Sequence, residues 1–377
     1  MEISDIITIL IDFGGIWSGD ITDRILQVDP LHEYLNDDSG QFRISEWSCE
    51  IDNSDDFLAE YNAAKGSNTD VYVFICLGPG NTVIWEGSGP AQIFNSADNT
   101  LKFTFKHRFN HFKKGTIGPT TSPWNVTYYL DSIINAYFDS IHPGTPPDIE
   151  IDMSGFYIND PAETPYTWDD FVLENLYFMD DRINGLVVIG DLLRSFGSVI
   201  INEGNSNYKI IDRKTLLAQT PEDVTDDLLG SITEDRWDKQ RNKLRLTTIQ
   251  RIDPDMYSTS TMNYATGYKG VTANEEDIMS IEANMLYNLS TYIHTEPPSE
   301  DLWTAGIVLA EFVHNTFYEP WFKPGAAQTQ LSFTLAGLQW YPGDAVQWDA
   351  NFWVLIEETE KDLGNRKTRC TGLKVIV

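Results

Sequence analysis

Apolar and polar positions alternate with a period of two along much of this chain, and one stretch near the C-terminus organises the rest. From Ser299 to Ala350 the pattern predicts a helix, a turn and a strand pair. Ser299 is placed to cap the helix, with Glu300 and Asp301 in its first turn. Leu302, Ile307, Leu309, Phe312 and Val313 supply an apolar face, and Pro320 and Pro324 stop it. Leu331, Phe333 and Leu335 alternate with Ser332 and Thr334, which predicts a half-buried strand. Tyr341-Pro342-Gly343-Asp344 turns the chain, and Ala345 to Trp348 starts the return strand. This is a packing device, not a catalytic one.

The rest reads as β-rich modules with helices beside them. Strands are predicted at Ile6–Ile11, Phe42–Ile51, Val71–Leu77, Thr82–Glu86 and Asn99–Phe105. Asp52 to Asp55 forms a turn, and Phe57 to Tyr61 a short helical turn. Ser122-Pro123 is a helix-start signal, and Tyr129, Leu130, Ile133, Ile134 and Tyr137 give that helix an apolar face. His142 to Pro165, rich in Pro, Gly and Asp, reads as a linker or loop. Helices are expected from Thr167 to Phe178 and from Gly185 to Phe196. Ser198–Ile201 and Tyr208–Ile211 flank a polar turn and form the strongest hairpin signal in the chain. Asn242–Ile249 alternates as a strand, and Asp253 to Asp277 reads as a long excursion loop. Phe352–Glu358 and Lys367–Val375 close the chain as a hairpin. The fold class is therefore mainly β with α (α+β): tandem small antiparallel β-barrel or sandwich modules with packed helices.

At 377 residues the chain is long enough for two or three domains. Its 57 Asp plus Glu against 26 Lys plus Arg give a formal charge of -31, which disfavours nucleic acid as a partner over most of the surface. Eleven Trp, 17 Tyr and 19 Phe suit packed sheets and subunit interfaces. Cys49, Cys76 and Cys370 have no metal-like spacing and read as buried thiols. No basic leader and no apolar run of membrane-spanning length is seen, and the Asn125 and Asn288 glycosylation patterns have no secretion signal behind them.

Candidate chemistry is sparse. His107 and His111 are four apart, but zinc needs a third ligand, and the run Lys106 to Lys114 reads as a positive patch or a contact for an acidic neighbour. Gly78-Pro79-Gly80 lacks the lysine of a phosphate loop, and Asn184-Gly185 and Gly190 do not follow a strand in the dinucleotide pattern. Ser45 and Ser122 lack a nucleophile elbow. Asp169 with Asp170 and Asp180 with Asp181 are adjacent and diverge on any regular element, so they make no glycosidase pair. No catalytic, cofactor-binding or metal residue is assigned, and no enzyme activity or cofactor is expected.

Four places carry a family resemblance. They are Ile21–Leu26 followed by Ile44–Asn53, Leu192–Ile201 with Tyr208–Asp212, Asn242–Leu246, and Phe333–Val346 with its Pro-Gly-Asp turn. In that order they resemble the central tail hub, or baseplate hub, proteins of bacteriophages and prophages. The resemblance implies a homotrimer whose two barrel-like modules per subunit make a ring of six similar domains under the tail tube. It implies a hub domain over residues 1–115, central helical and hairpin modules over 116–234, and a second hub domain over 235–377. Expected neighbours are tail tube or distal tail ring proteins above, tip, spike or fibre proteins below, and the tape measure protein. DNA would pass only transiently, and an acidic lumen would keep it from sticking. The location implied is the phage virion, with assembly in the host cytoplasm. Two other readings stay open on the residues: a distal tail adaptor or receptor- or glycan-binding baseplate component, and a glycan-active hydrolase.

Overall fold

The computed structural model describes residues 7–12, 18–35, 44–66, 70–90, 94–95, 99–113, 116–117, 124–125, 150–152, 172–173, 183–184, 186, 193, 198–204, 207–236, 240–253, 256–265, 278–285 and 329–376. Two large sheets dominate, the first antiparallel and the second antiparallel except where its short edge strand Glu222–Asp223 runs parallel to its neighbour. The first takes β1 (Ile7–Asp12), β2 (Ser18–Asp20), β3 (Ile25–Val28), β5 (Glu46–Asp52), β6 (Asp70–Leu77), β7 (Thr82–Pro90), β8 (Phe94–Asn95) and β9 (Thr100–His107). Its order is β2-β1-β6-β7-β9-β5-β3, with β8 also paired to β9. The helix α1 (Phe57–Lys65) packs on its inner face through Phe57 and Tyr61, the latter edge-on to Phe103 at 5.6 Å. Trp47, Trp85 and Phe105 fill the centre of this core. The inward alternation of β9 follows Leu101, Phe103 and Phe105, as the sequence pattern predicts.

One strand leaves this sheet. β4 (Leu31–Tyr34) follows β3 after two residues and pairs instead with a strand more than 300 positions away. That strand is β24 (Phe352–Asp362), in the second large sheet. This sheet also holds β17 (Glu222–Asp223), β18 (Thr233–Arg236), β22 (Thr329–Ala336), β23 (Ala345–Asp349) and β25 (Lys367–Ile376), in the order β17-β23-β24-β25-β22-β18. A bulge at Glu357 divides β24: its first half pairs with β23 and its second half with β4. The segment 222–236 touches both sides of the sheet, Val224 N–H donating to Gln347 and Leu228 bridging Leu335. The sheet thus curls around Val224, Phe333, Trp340, Val354 and Ile356. Strands from each of the three expected residue ranges contribute to it.

Smaller pieces complete the described fold. β15 (Ser198–Gly204) and β16 (Asn207–Asp212) form the expected hairpin, followed by the single turn α2 (Arg213–Leu216). β12 (Glu150–Asp152) lies parallel to β16, so part of the expected linker is a strand. β10 (Thr116–Ile117) pairs with β14 (Ile183–Asn184), and β11 (Trp124–Asn125) with β13 (Val172–Leu173). One expected helix is therefore extended at its start, at Trp124–Asn125, and another in its middle, at Val172–Leu173: Pro123 fits either backbone, and a cross-strand partner some fifty residues off is invisible locally. Leu186 and Leu193 are helical and buried, as expected for the third helix. β19 (Gln240–Asp253) pairs antiparallel with β20 (Met256–Ala265) and parallel with β21 (Ile278–Met285). Residues 256–265 are thus a strand, not a loop; the Thr259 and Thr261 alternation suits that state. The predicted helix after Ser299 lies outside the described residues.

The strands on either side of Pro342-Gly343 do not pair with each other. β22 pairs with β25 and β18, while β23 pairs with β24 and β17. The connection is too rich in buried side chains for a hairpin loop: Leu338, Trp340 and Tyr341 are all buried. It crosses the end of the sheet and drops Leu338 into the first sheet's core, beside Leu363 from the β24–β25 turn. Close approach at Gly372 lets β25 lie against β24: a Cβ there would sit 2.3 Å from the carbonyl oxygen of Leu355. Gly372→Ala is expected to lose about 2 kcal/mol or more of stability, whereas Gly80→Ala, open to solvent, should stay within about 0.5 kcal/mol; urea unfolding of both variants checks this.

Candidate functional site

Three segments distant in sequence meet at a buried charged joint. β4 brings Glu33, the C-terminal half of β24 brings Lys361, and the end of β15 brings Asn202. Lys361 is 0% and Glu33 7% exposed, with the ammonium in direct contact with the Glu33 carboxylate. Asn202 Nδ2 donates to the other carboxylate oxygen at 3.0 Å. The Lys361 ammonium also lies 3.6 Å from the centre of the Tyr341 ring. Such a pair is stable only when its remaining hydrogen-bonding capacity is met, and here an amide and an aromatic face meet it.

The Tyr341–Asp344 turn docks on the same place. Gly343 N–H donates to Ile356 at 2.8 Å, and Ile356 N–H to Asp344 at 2.9 Å. Gly343 has φ +104, and a Cβ on it would stand 2.5 Å from Ile201 Cγ2, so the turn fits the β15–β16 hairpin only with glycine there. Asp344 accepts from Tyr341 N–H at 2.7 Å. Burial pushes its carboxyl up to about 6; the Tyr341 N–H and the Lys361 charge pull the other way, while Glu222 and Glu33 add to the rise. Beside it opens a crevice of about 320 Å³, lined by Asn202, Glu203, Gln219, Glu222, Trp340 and Tyr341 among others.

A second joint ties the first sheet to the same hairpin. Phe109 N–H donates to His107 Nδ1 at 3.3 Å, so the neutral ring's hydrogen sits on Nε2, which donates to Tyr208 Oη at 2.9 Å. Burial, with the Arg108 charge adding, holds His107 near a pKa of about 3. Arg108 Nη1 meets Glu86 at 3.0 Å, with both side chains buried. The expected positive patch is corrected here: His107 and Arg108 face the interior and their charges are absent or paired. His107 also ends β9 while His111 lies in the following 3₁₀ turn, so the two do not share a helix face.

The other candidates separate. Ser45 Oγ accepts from Trp85 Nε1 at 3.1 Å, a packing role. Gly78-Pro79-Gly80 is the β6–β7 turn. Asn184 does end a strand, but a two-residue antiparallel one. Cys49, Cys76 and Cys370 are free and buried, as expected, and burial raises all three thiols. Ser122, Gly190 and the Asp169–Asp170 and Asp180–Asp181 pairs lie outside the described residues. Among the described residues no group of three or more His, Cys, Asp or Glu is placed to hold a metal, and no helix is long and apolar enough to cross a membrane. The arrangement found here joins segments; it presents no activated nucleophile. Sequence reasoning missed Glu33, Lys361 and Asn202, since each sits where a solvated charge or turn residue is ordinary.

No sequence-family model matches the chain, and no curated protein matches it in sequence. Solved structures do match it. The tail protein from Neisseria meningitidis MC58 superposes with a TM-score of 0.54 over 97% of this chain and 96% of that one, at 9% identity. The prophage tail protein gp18 from Listeria monocytogenes EGD-e gives 0.51 over 97% and 94%, at 13% identity. The chain shares the fold of these tail proteins. At this identity the likeness is one of fold.

Two outcomes follow for the joint of this tail-protein fold. Lys361→Met should cost about 3 to 5 kcal/mol, because it leaves Glu33 buried without its cation. Adding Glu33→Gln should restore a good part of that, with a coupling of about 2 kcal/mol in a double-mutant cycle by urea unfolding. Asp344, whose folded value of about 6 lies above its unfolded one, favours folding in acid and loses that contribution as pH rises through about 6, by up to about 3 kcal/mol. Asp344→Asn should therefore gain on the native chain between pH 4 and 7, and a constant difference across that range would sink the assignment.

Proposed function

We propose that this chain is the hub of a phage-type tail: a structural, non-enzymatic virion protein that closes the tail tube and connects it to the tip, spike or fibres. The observation that carries the reading is the fold likeness to a tail protein over 97% of this chain and 96% of that one. The two large sheets, drawn mainly from residues 1–115 and 235–377, supply two ring modules per subunit, and three subunits make a ring of six. The modules drawn from residues 116–234 face outward or toward the tip. Rigid linkage between the two sheets supports this, because a ring of alternating modules needs each subunit to hold its pair at a fixed angle. The charge of -31 favours an acidic lumen that DNA crosses without adhering.

Light scattering with electron-microscopy class averages tests the proposal. The expected particle has three times the 42.8 kDa mass of the chain, a central hole and a pseudo-sixfold outline. A chain that stays monomeric when mixed with tail tube and tip proteins overturns the hub reading. A ring with a basic lumen overturns the charge part alone.

A further inference from the structure

β18 pairs with β22 on one side, and among the described residues no strand lies on its other side. Its outer row of backbone groups can therefore accept another strand. Just before it the pairing shifts by two residues, from Leu228 opposite Leu335 to Thr233 opposite Ser332. The extra residues bulge outward, with Gly230 at φ +77. On this bulge Leu229 is 43% and Ile232 41% exposed; apart from Leu26, no other large hydrophobic among the described residues is so exposed.

The surroundings are acidic. Asp226, Glu234 and Asp235 are exposed; Lys374 stands 3.6 Å from Glu234, and the strand's last residue is Arg236. Charges on an edge strand are an ordinary guard against self-pairing. They do not account for two aliphatic side chains standing in water beside them. A second copy of the chain would bring the same carboxylates to the edge, and like charges placed opposite each other repel.

We propose that the outer edge of β18, with its Leu229–Ile232 bulge, is a docking edge for an extended, Lys- or Arg-rich segment of another protein. The segment adds as a strand. Main-chain hydrogen bonds hold it, its basic side chains meet Glu234 and Asp235, and an aliphatic side chain covers Leu229 and Ile232. The inference does not require a ring, so it stands or falls separately from the hub reading.

The test uses the full chain and a blocked synthetic peptide of alternating Lys and Val. Two controls are the same peptide N-methylated at every second amide and a Glu-Val copy. In hydrogen exchange, the Lys-Val peptide is expected to slow residues 229–236 by about tenfold or more, while neither control does. Glu234→Lys with Asp235→Lys should abolish binding, and Leu229→Ser with Ile232→Ser should weaken it by about fivefold or more. The serine variant should melt like the native chain, since these side chains are exposed, and the lysine variant only slightly below it, since the Glu234–Lys374 pair that it gives up is partly solvated. Equal protection by the N-methylated peptide, or slowing spread over the acidic surface at large, overturns the proposal. Concentration-dependent protection of 229–236 in the chain alone also overturns it and gives the edge to a second copy.

Discussion

The contact between Lys361 and Glu33 fixes the relation of the two large sheets. β4 is only four residues long, and a strand that short gains little from its ladder alone. Its register on β24 is set by what each side chain would meet if it slipped. A shift by one residue would turn Glu33 away from Lys361 and move Leu31 out of the first sheet's core. The ion pair therefore acts as a register pin, and its value lies in specificity more than in net stabilisation.

The same logic runs through the rest of the interior. This is a chain with a large acidic excess, yet the carboxylates buried among the described residues are answered individually. Glu33 has Lys361 and Asn202, and Glu86 has Arg108. Asp344 is the exception among the described residues: it has a backbone N–H, no ion pair with a cation there, and a carboxyl that burial raises. The apolar contacts between modules are equally reciprocal. Leu338 and Leu363 enter the first sheet's core, while Leu35 enters the cluster between the hairpin and the second sheet.

Much of the fold was legible where a residue's environment is local. The alternation of Leu331, Phe333 and Leu335 gave β22, and the polar Asn202–Asn207 turn between Ile-rich runs gave β15 and β16. What failed was partnership. Nothing near Trp124 announces Leu173, and nothing near Pro342 says that its flanking strands are separated by two others. The site was the least legible part, because a lysine three residues beyond the predicted end of a strand looks like a solvated surface group until a strand from the N-terminal region covers it. His107 and Arg108 misled for the matching reason: their charges read as a patch, but one is neutral inside the protein and the other is paired.

The route of β4 also sets an order of events during synthesis. Every strand of the first sheet is made before residue 108, so that sheet can form early. β4 must then wait for a partner 328 positions later, a delay of tens of seconds at about 5–20 residues per second on the ribosome. Through that interval a free strand edge would invite wrong pairings. Glu33, solvated and charged until Lys361 arrives, keeps the waiting strand from burying itself anywhere else. The group that pins the finished molecule thus also guards the unfinished one.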